Sequence, residues 1–381
     1  MGRYQTQSAR VALDTLAGAG LGQIDYFFAA LELIRRAVPY DAMCMGSIDP
    51  ATNFITDSAK VGLLDSGDRE FLFHEYALED VNQFNDLARR DMPTAVLLDA
   101  TNGDPMRSSR FRNVVRPMLG FEHELRGVAR VGGLMWGAYS IYRESGSPGF
   151  NQAEAEFMAQ LEHAIALGLR ASMIATVAHN GLGAETGPAV LIFDGQGVLQ
   201  QATATAEERV RDLGGELWGP PSTAVTTVVA VARGAGRHRY ASARLRARGA
   251  GGQWFTLHAA PFTTGADVTS IAVTIELASP PEVLPLIVAA HGLTDREGEV
   301  VMQMLRGEST HAIAQKLHLS PYTVQDHFKS IFDKVGVSSR RELASRVFYG
   351  LYVDRDGGTG SAVHGFVRAP LGSHASVPDP R

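Results

Sequence analysis

Ser309-Thr310-His311-Ala312-Ile313-Ala314-Gln315-Lys316-Leu317-His318-Leu319-Ser320-Pro321-Tyr322-Thr323-Val324 is the stretch on which the reading of this chain turns, and it continues through Gln325-Asp326-His327-Phe328-Lys329-Ser330 to Val335-Gly336. Ser309 is placed to accept an orphan amide at a helix start, with Ile313, Ala314 and Leu317 turned inward. His318-Leu319 leaves room only for a tight turn. Ser320 caps the next helix, and Pro321 takes its first position, where a missing amide costs nothing. Val324, Phe328, Ile331 and Val335 fall on one face of that helix, and Gly336 stops it. Working outward, Thr294-Asp295-Arg296-Glu297 has the spacing of a capping box. Val300, Val301, Met304 and Leu305 supply an apolar face, and Gly307 ends that helix. Residues 340–349 predict a fourth helix, with Leu343 and Val347 inward.

Two short helices joined by a tight turn, the second with a polar face, form the geometry that lays a helix into the major groove. The polar face holds Gln325, Asp326, Lys329, Ser330 and Asp333. Glutamine can bind adenine through two hydrogen bonds, aspartate can accept from cytosine N4, and lysine can reach guanine or phosphate. Helices that only pack or dimerise share this pattern, so a sensor whose terminal helices mediate protein–protein contacts is the alternative. Charge does not decide between them: eight cations and seven anions leave residues 294–349 at +1.

The spacings Leu293-Thr294-x-Arg296-Glu297-x-Glu299-Val300, Ile313-Ala314-x-x-Leu317, Ser320-x-x-Thr323-Val324-x-x-His327 and Ile331-x-x-Lys334-x-Gly336-Val337-x-x-Arg340 resemble the LuxR/NarL-type helix-turn-helix domain. The resemblance covers nearly all of residues 293–349. It implies a double-stranded DNA partner, base reading at Gln325, Asp326 and Lys329, and phosphate contacts at Ser320, Thr323 and Arg340. His327 then lies near the DNA backbone, or is a half-buried helix histidine with no special role. The chain departs from the family at Gln325, where lysine is common. Gly298 replaces a better helix former at a cost of about 1 kcal/mol. Thr310, His311 and Ala312 stand where asparagine, lysine and glutamate are usual.

Upstream, the pattern runs twice through strand, turn and strand. A helix over 24–38 ends at Pro39, and strands follow at 42–48 and from Phe54. A loop-rich stretch reaches to about 121, then a hairpin turns at Val131-Gly132-Gly133, and a long helix is capped by Asn151 with Glu154. Strands at 187–193 and 198–201 begin the second pattern. Helices at 204–213 and 224–231 and strands at 241–247, 254–260 and 270–276 complete it. By element order, and through Val38-Pro39-Tyr40-Asp41 and Trp136-Gly137-Ala138, residues 1–175 resemble a GAF-type sensor domain. Residues 185–278 resemble a PAS-like domain through 190–193, Asp194-x-x-Gly197 and 254–258. Both resemblances imply a small-molecule effector. Tyr40, Met43, Met45, Phe73, Tyr76 and Trp136 are candidate pocket residues, although residues of this kind usually form core. Pro280, Pro281 and Pro285 suggest a linker over 279–292. Residues 1–10 read as frayed and 354–381 as a disordered tail.

The expected fold class is therefore α+β: two sensor-type antiparallel-sheet domains followed by an all-α, four-helix helix-turn-helix domain at 293–350. Three hundred and eighty-one residues suit that division, and a net charge of −6 means that any DNA binding rests on the local motif. The lone cysteine, Cys44, excludes an internal disulfide. It is a conceivable redox sensor, but a thiol in a strand is more often inert. No Gly-Lys-Ser/Thr phosphate loop, acidic phosphoreceiver cluster or Gly-x-Ser-x-Gly elbow is present. The twelve histidines lack metal-ligand spacing, and neither His74-Glu75 nor His123-Glu124 has a second histidine four residues after the first. The expectation is a non-enzymatic, cofactor-free, cytoplasmic homodimer with no membrane partner. Contact with RNA polymerase is left open.

Overall fold

The computed structural model describes residues 3–175, 189–234, 242–265 and 267–349, so the tail at 354–381 lies outside the described residues. The chain opens with helices α1 (Arg3–Ala17) and α2 (Gln23–Ala37). Over residues 3–10 the first corrects the expectation of fraying, while 1–2 lie outside the described residues: α1 packs along α6 (Gln152–Ile174) and buries Leu13. Strands β1 (Ala42–Asp49) and β2 (Phe54–Val61) form a hairpin whose turn holds Asn53 at φ 60. The Asp49 carboxylate accepts from Ala51 N (3.1 Å) in that turn.

The stretch expected to be loop-rich is instead a string of short elements. It contains α3 (Asp68–Tyr76), α4 (Phe84–Leu87), β3 (Thr94–Val96), α5 (Leu97–Ala100) and a π-helix over Phe111–Leu119. Each is too short to show a periodicity in sequence. Strands β4 (Phe121–Val131) and β5 (Leu134–Glu144) then pair across Gly132-Gly133, both at positive φ, which is the hairpin turn whose twist matches the strands. Helix α6 starts with both halves of the Asn151/Glu154 capping box in place. The first sheet has the order β2-β1-β5-β4-β3.

The second sheet is built from β6 (Ala189–Asp194), β7 (Leu199–Ala202), β8 (Ala243–Arg248), β9 (Trp254–Thr264) and β10 (Asp267–Leu277). Its order, β7-β6-β10-β9-β8, repeats that of the first sheet when each is numbered from its own first strand, and every pairing in both is antiparallel. Alternation sets its inner face: Leu191 and Phe193, Leu245, and Ile271, Val273 and Ile275 all point to one core. Helix α7 (Ala206–Asp212) lies at its margin, and α8 (Thr223–Arg233) covers the core. Residues 224–232 of α8 are buried on every side. A helix apolar all round needs cover all round. Here the second sheet covers one side, and β2 and α3 of the first half cover the other. The two halves thus share one core.

Polar ties reinforce that seam. Asp49 accepts from Arg246 N and Nε (both 3.0 Å), and Arg248 Nη1 donates to the carbonyls of Met173 (2.9 Å) and Ala175 (2.8 Å). The latter satisfies carbonyls that the C-terminus of α6 leaves without intrahelical partners. The segment 279–292, expected to be a linker, is largely a helix, α9 (Pro280–Ala290), entered through a Ser279/Glu282 capping box. Its prolines sit at the first turn and on the exposed side at Pro285, where they do not break it. Helix α9 packs against α6 and also against α10 (Asp295–Leu305) and α13 (Arg340–Tyr349).

Candidate nucleic-acid interface

Between α10 and α13 lie α11 (Thr310–Lys316) and α12 (Pro321–Val335). Thr294 and Glu297 form both bonds of the capping box, and Ser309 and Ser320 accept from Ala312 N (3.2 Å) and Thr323 N (3.0 Å). Gly307 and Gly336 take the left-handed conformation that closes their helices. At the tight turn His318 is itself left-handed (φ 53), and Leu319 N reaches back to Ala314 O (2.8 Å). Ile313, Ala314, Val324, Phe328, Ile331 and Val335 are buried, as expected.

Gly298, the departure from good helix formers, has a packing reason. A Cβ there would sit 3.0 Å from Val288 Cγ1 of α9, so the glycine lets α10 approach α9 closely.

The outer face of α12 presents Gln325, Asp326, Lys329 and Asp333 to solvent. Ser330 does not belong with them: its hydroxyl donates to Glu297 Oε1 (2.6 Å), which turns it inward. Lys334 joins the same carboxylate through Nζ at 2.9 and 2.7 Å. Burial raises the pKa of Glu297, but hydrogen bonds from Lys334, Ser330 and Thr294 outweigh it and hold the group down to about 2. This cluster fixes α12 against the start of α10.

Its folded pKa is depressed, so the stability it contributes is present above the ordinary value of 4.5 and is lost as pH falls toward 2. Glu297→Gln is expected to cost about 1–3 kcal/mol at neutral pH, discounted for the half-exposed Lys334. The cost should shrink at acid pH. Urea melts at pH 7 and pH 3 check this, and equal losses at both would refute it.

Arg340 is held rather than free. Its guanidinium stacks 3.9 Å from the Phe328 ring centroid, and Nη2 donates to Thr310 Oγ1 (2.7 Å). Ser320 and Thr323 hydroxyls lie 2.9 Å apart at the exposed start of α12. His327 is half-buried. Tyr322 was missed by the sequence reading and is 80% exposed, the most exposed of the large hydrophobic residues described. It begins the stripe 322, 325/326, 329, so an aromatic just after the helix-starting proline was the available signal.

Leu343, expected inward, is fully buried in a core shared with residues of α9, α10 and α12. The side chains of Val347 and Tyr349 lie outside the described residues.

The candidate pocket residues upstream are packed. Tyr40, Met43, Met45 and Trp136 belong to one core, and Tyr76 to the other, with its hydroxyl accepting from Ile55 N (2.9 Å). Phe73 lies under the Arg233 guanidinium. Burial pushes the Cys44 thiol up to about 11, which favours the protonated thiol at neutral pH. Among the described residues no group of three potential metal-ligating side chains converges, and no helix is long and apolar enough to cross a membrane.

Comparison with known proteins bears on this C-terminal region. Residues 291–347 match the family model of bacterial regulatory proteins of the luxR family (GerE). The transcriptional regulatory protein UhpA of Escherichia coli (strain K12) is 43% identical over 58 residues, which is 15% of this chain and 30% of UhpA. UhpA of Salmonella typhimurium gives the same values. The chain thus spans about a third of the length of these curated relatives.

Two solved structures are also similar. Escherichia coli SdiA aligns over 90% of this chain and 96% of its own, at 12% identity and TM-score 0.32. A Vibrio cholerae VqmA dimer without target DNA aligns over 43% and 83%, at 14% identity and TM-score 0.21. Neither value reaches a shared overall fold, so the two upstream sheets stand on their own geometry.

Proposed function

We propose, from the premise that residues 291–347 are a luxR-family helix-turn-helix domain, that this chain is a sequence-specific, effector-responsive transcriptional regulator that reads the major groove of double-stranded DNA with α12. The observation that carries the reading is the division of α12 into two faces. One face is locked inward through Val324, Phe328, Ile331 and the Ser330–Glu297–Lys334 cluster; the other exposes Tyr322, Gln325, Asp326 and Lys329. Gln325, Asp326 and Lys329 are the base readers, while Ser320, Thr323 and Arg340 contact phosphate. Arg340 suits that role because its stacking on Phe328 orients the guanidinium before DNA arrives.

The repeated strand order of the two sheets supports reading residues 1–175 as a GAF-like and 185–278 as a PAS-like sensor module. Two copies per operator are expected, because one such helix makes too few base contacts for physiological affinity. With Leu343 buried, their contact lies outside that residue.

Gln325→Ala is expected to relax preference at one base pair by about 1–3 kcal/mol. Lys329→Ala either does the same at a guanine or, if it meets phosphate, weakens all sequences alike and lowers the salt slope by about one unit. Selection from random DNA followed by salt-dependent binding separates these outcomes. Unchanged base preferences in Gln325→Ala would remove it as a reader. Failure of the full chain to bind DNA at any salt would leave the protein–protein reading of the terminal helices.

A further inference from the structure

Arg233, the last residue of α8, is buried to 5% side-chain exposure and stacks 3.8 Å from the Phe73 ring centroid. Its Nε and Nη1 have no hydrogen-bond partner. Glu70 Oε1 stands 3.8 Å from Nη1, beyond hydrogen-bond reach, and Gln196 Oε1 is 3.5 Å from Nη2, at the limit. Both nearby acids are engaged elsewhere: Glu70 accepts from Arg69 Nε (3.1 Å), and Asp194 accepts from Gln196 N and Val198 N (both 2.9 Å) and Gln200 Nε2 (3.0 Å). A guanidinium buried with idle donors is costly, and such groups in folded proteins are rare.

The same arginine lines a slot of about 30 Å³ at the seam between the two halves. Arg69 from α3 meets Arg233 there; a Cβ on Gly197 would lie 3.3 Å from Arg233 Cδ and 3.6 Å from Arg69 Cδ, so both stems converge on that glycine. The rest of the lining is largely apolar, including Phe193, Val225 and Val229. The volume accommodates one or two water-sized groups, which matches the two oxygens of a carboxylate. The slot is open to solvent on one side, past the apolar side chains of Val225 and Val229.

We propose that this slot binds a small organic carboxylate with a short apolar tail, its oxygens on Arg233 and its tail along Val225 and Val229. Paired N–H···O bonds from a guanidinium to a carboxylate are charge-assisted and geometrically matched. Water in the slot could meet the idle donors but would leave the long contact to Glu70 (3.8 Å) as the ion pair of Arg233. Because Arg69 and Phe73 come from the first half and the other contacts from the second, occupancy would tighten the seam.

The experiment is thermal melting and calorimetric titration of the full chain in low-chloride buffer with butyrate, benzoate and the neutral isostere butyramide. A carboxylate site predicts a saturable rise in Tm with butyrate or benzoate and none with butyramide. Arg233→Met should still fold, since it keeps the stem and removes the idle donors, and should weaken carboxylate binding about tenfold or more. Glu70→Gln removes a competing carboxylate and should strengthen binding several-fold, a test that stands even if Arg233→Met fails to fold.

The proposal is overturned by absence of response to both carboxylates, by equal response to butyramide, by an equal response to inorganic phosphate, by a response unchanged in Arg233→Met, or by weaker binding in Glu70→Gln. Carboxylate binding is read here without DNA, so its failure leaves the DNA-binding reading untouched.

Discussion

Arg126→Ala is expected to destabilise the first half of the chain by about 3–5 kcal/mol. Arg126 is fully buried on β4. Its Nη2 donates to Glu75 Oε2 (2.7 Å), Nη1 to Asn82 O (2.9 Å) and Nε to Ser140 Oγ (3.2 Å). The guanidinium also lies 3.8 Å from the Phe84 ring centroid. Glu75 in turn accepts from Phe84 N (2.7 Å), so one arginine ties α3 and the start of α4 to the sheet. Removing it strands a buried carboxylate with one amide for company, opens a cavity and frees an aromatic face. A second buried pair, Arg110 Nη2 to Glu124 Oε2 (2.7 Å), stands beside it and cannot substitute, because Glu124 is already its partner.

Hydrogen exchange of the β4 and β5 amides measures the loss. Glu75→Gln in the same chain should recover part of it, since a neutral amide leaves no stranded charge. A cost below about 1 kcal/mol, or strict additivity of the two changes, would mean that water reaches the pair.

This buried network also marks where the sequence was silent. Nothing around Glu75, Asp80, Arg110, Glu124 and Arg126 in the sequence marks them as buried, and nothing local says that segments 68–84 and 108–126 meet face to face. Residues 293–343 were legible because caps, a tight turn and apolar faces all act within a few residues of one another. The hairpin at Gly132-Gly133 and the capped start of α6 were legible for the same reason. Helix α1 was not, since its burial depends on α6, about 150 residues away. Ser330 was placed on the DNA-facing side because helical spacing permits it; only the tertiary neighbour Glu297 turns it inward. Leu343 was correctly read as inward; the core it joins also holds residues of α9, α10 and α12. The helical form of 280–290 was not legible from the count of prolines, because what matters is their position: at a first turn and on an exposed side they are compatible with helix.

Because α9 is a buried helix and not a tether, Leu284→Ala is expected to cost about 2–5 kcal/mol and to do so unevenly across the chain. Val283, Leu284, Leu286, Ile287 and Ala290 are buried in a core that also contains Leu161, Ile165 and Leu169 of α6 and Val300 and Val301 of α10. Glu282 adds a contact to Arg244 and accepts from Thr256 Oγ1 (3.3 Å), which fixes the entry of α9 to the second sheet. Hence the chain passes from the sheets to the terminal helices by way of α9, which packs against α6, α10 and α13. An effector can change DNA affinity only by favouring one arrangement of such an element over another. A coupling of about 1–3 kcal/mol corresponds to about 5–150-fold. A cavity at Leu284 loosens the docking while leaving the β6–β10 sheet packed on α8. Hydrogen exchange should therefore rise in α10 and α12 and stay nearly constant in β6, β9 and β10, and any effector-dependent change in DNA affinity should shrink toward unity. Equal loosening of the sheet and the terminal helices would show that they open as one cooperative unit, and docking at α9 would then be too strong to act as a switch.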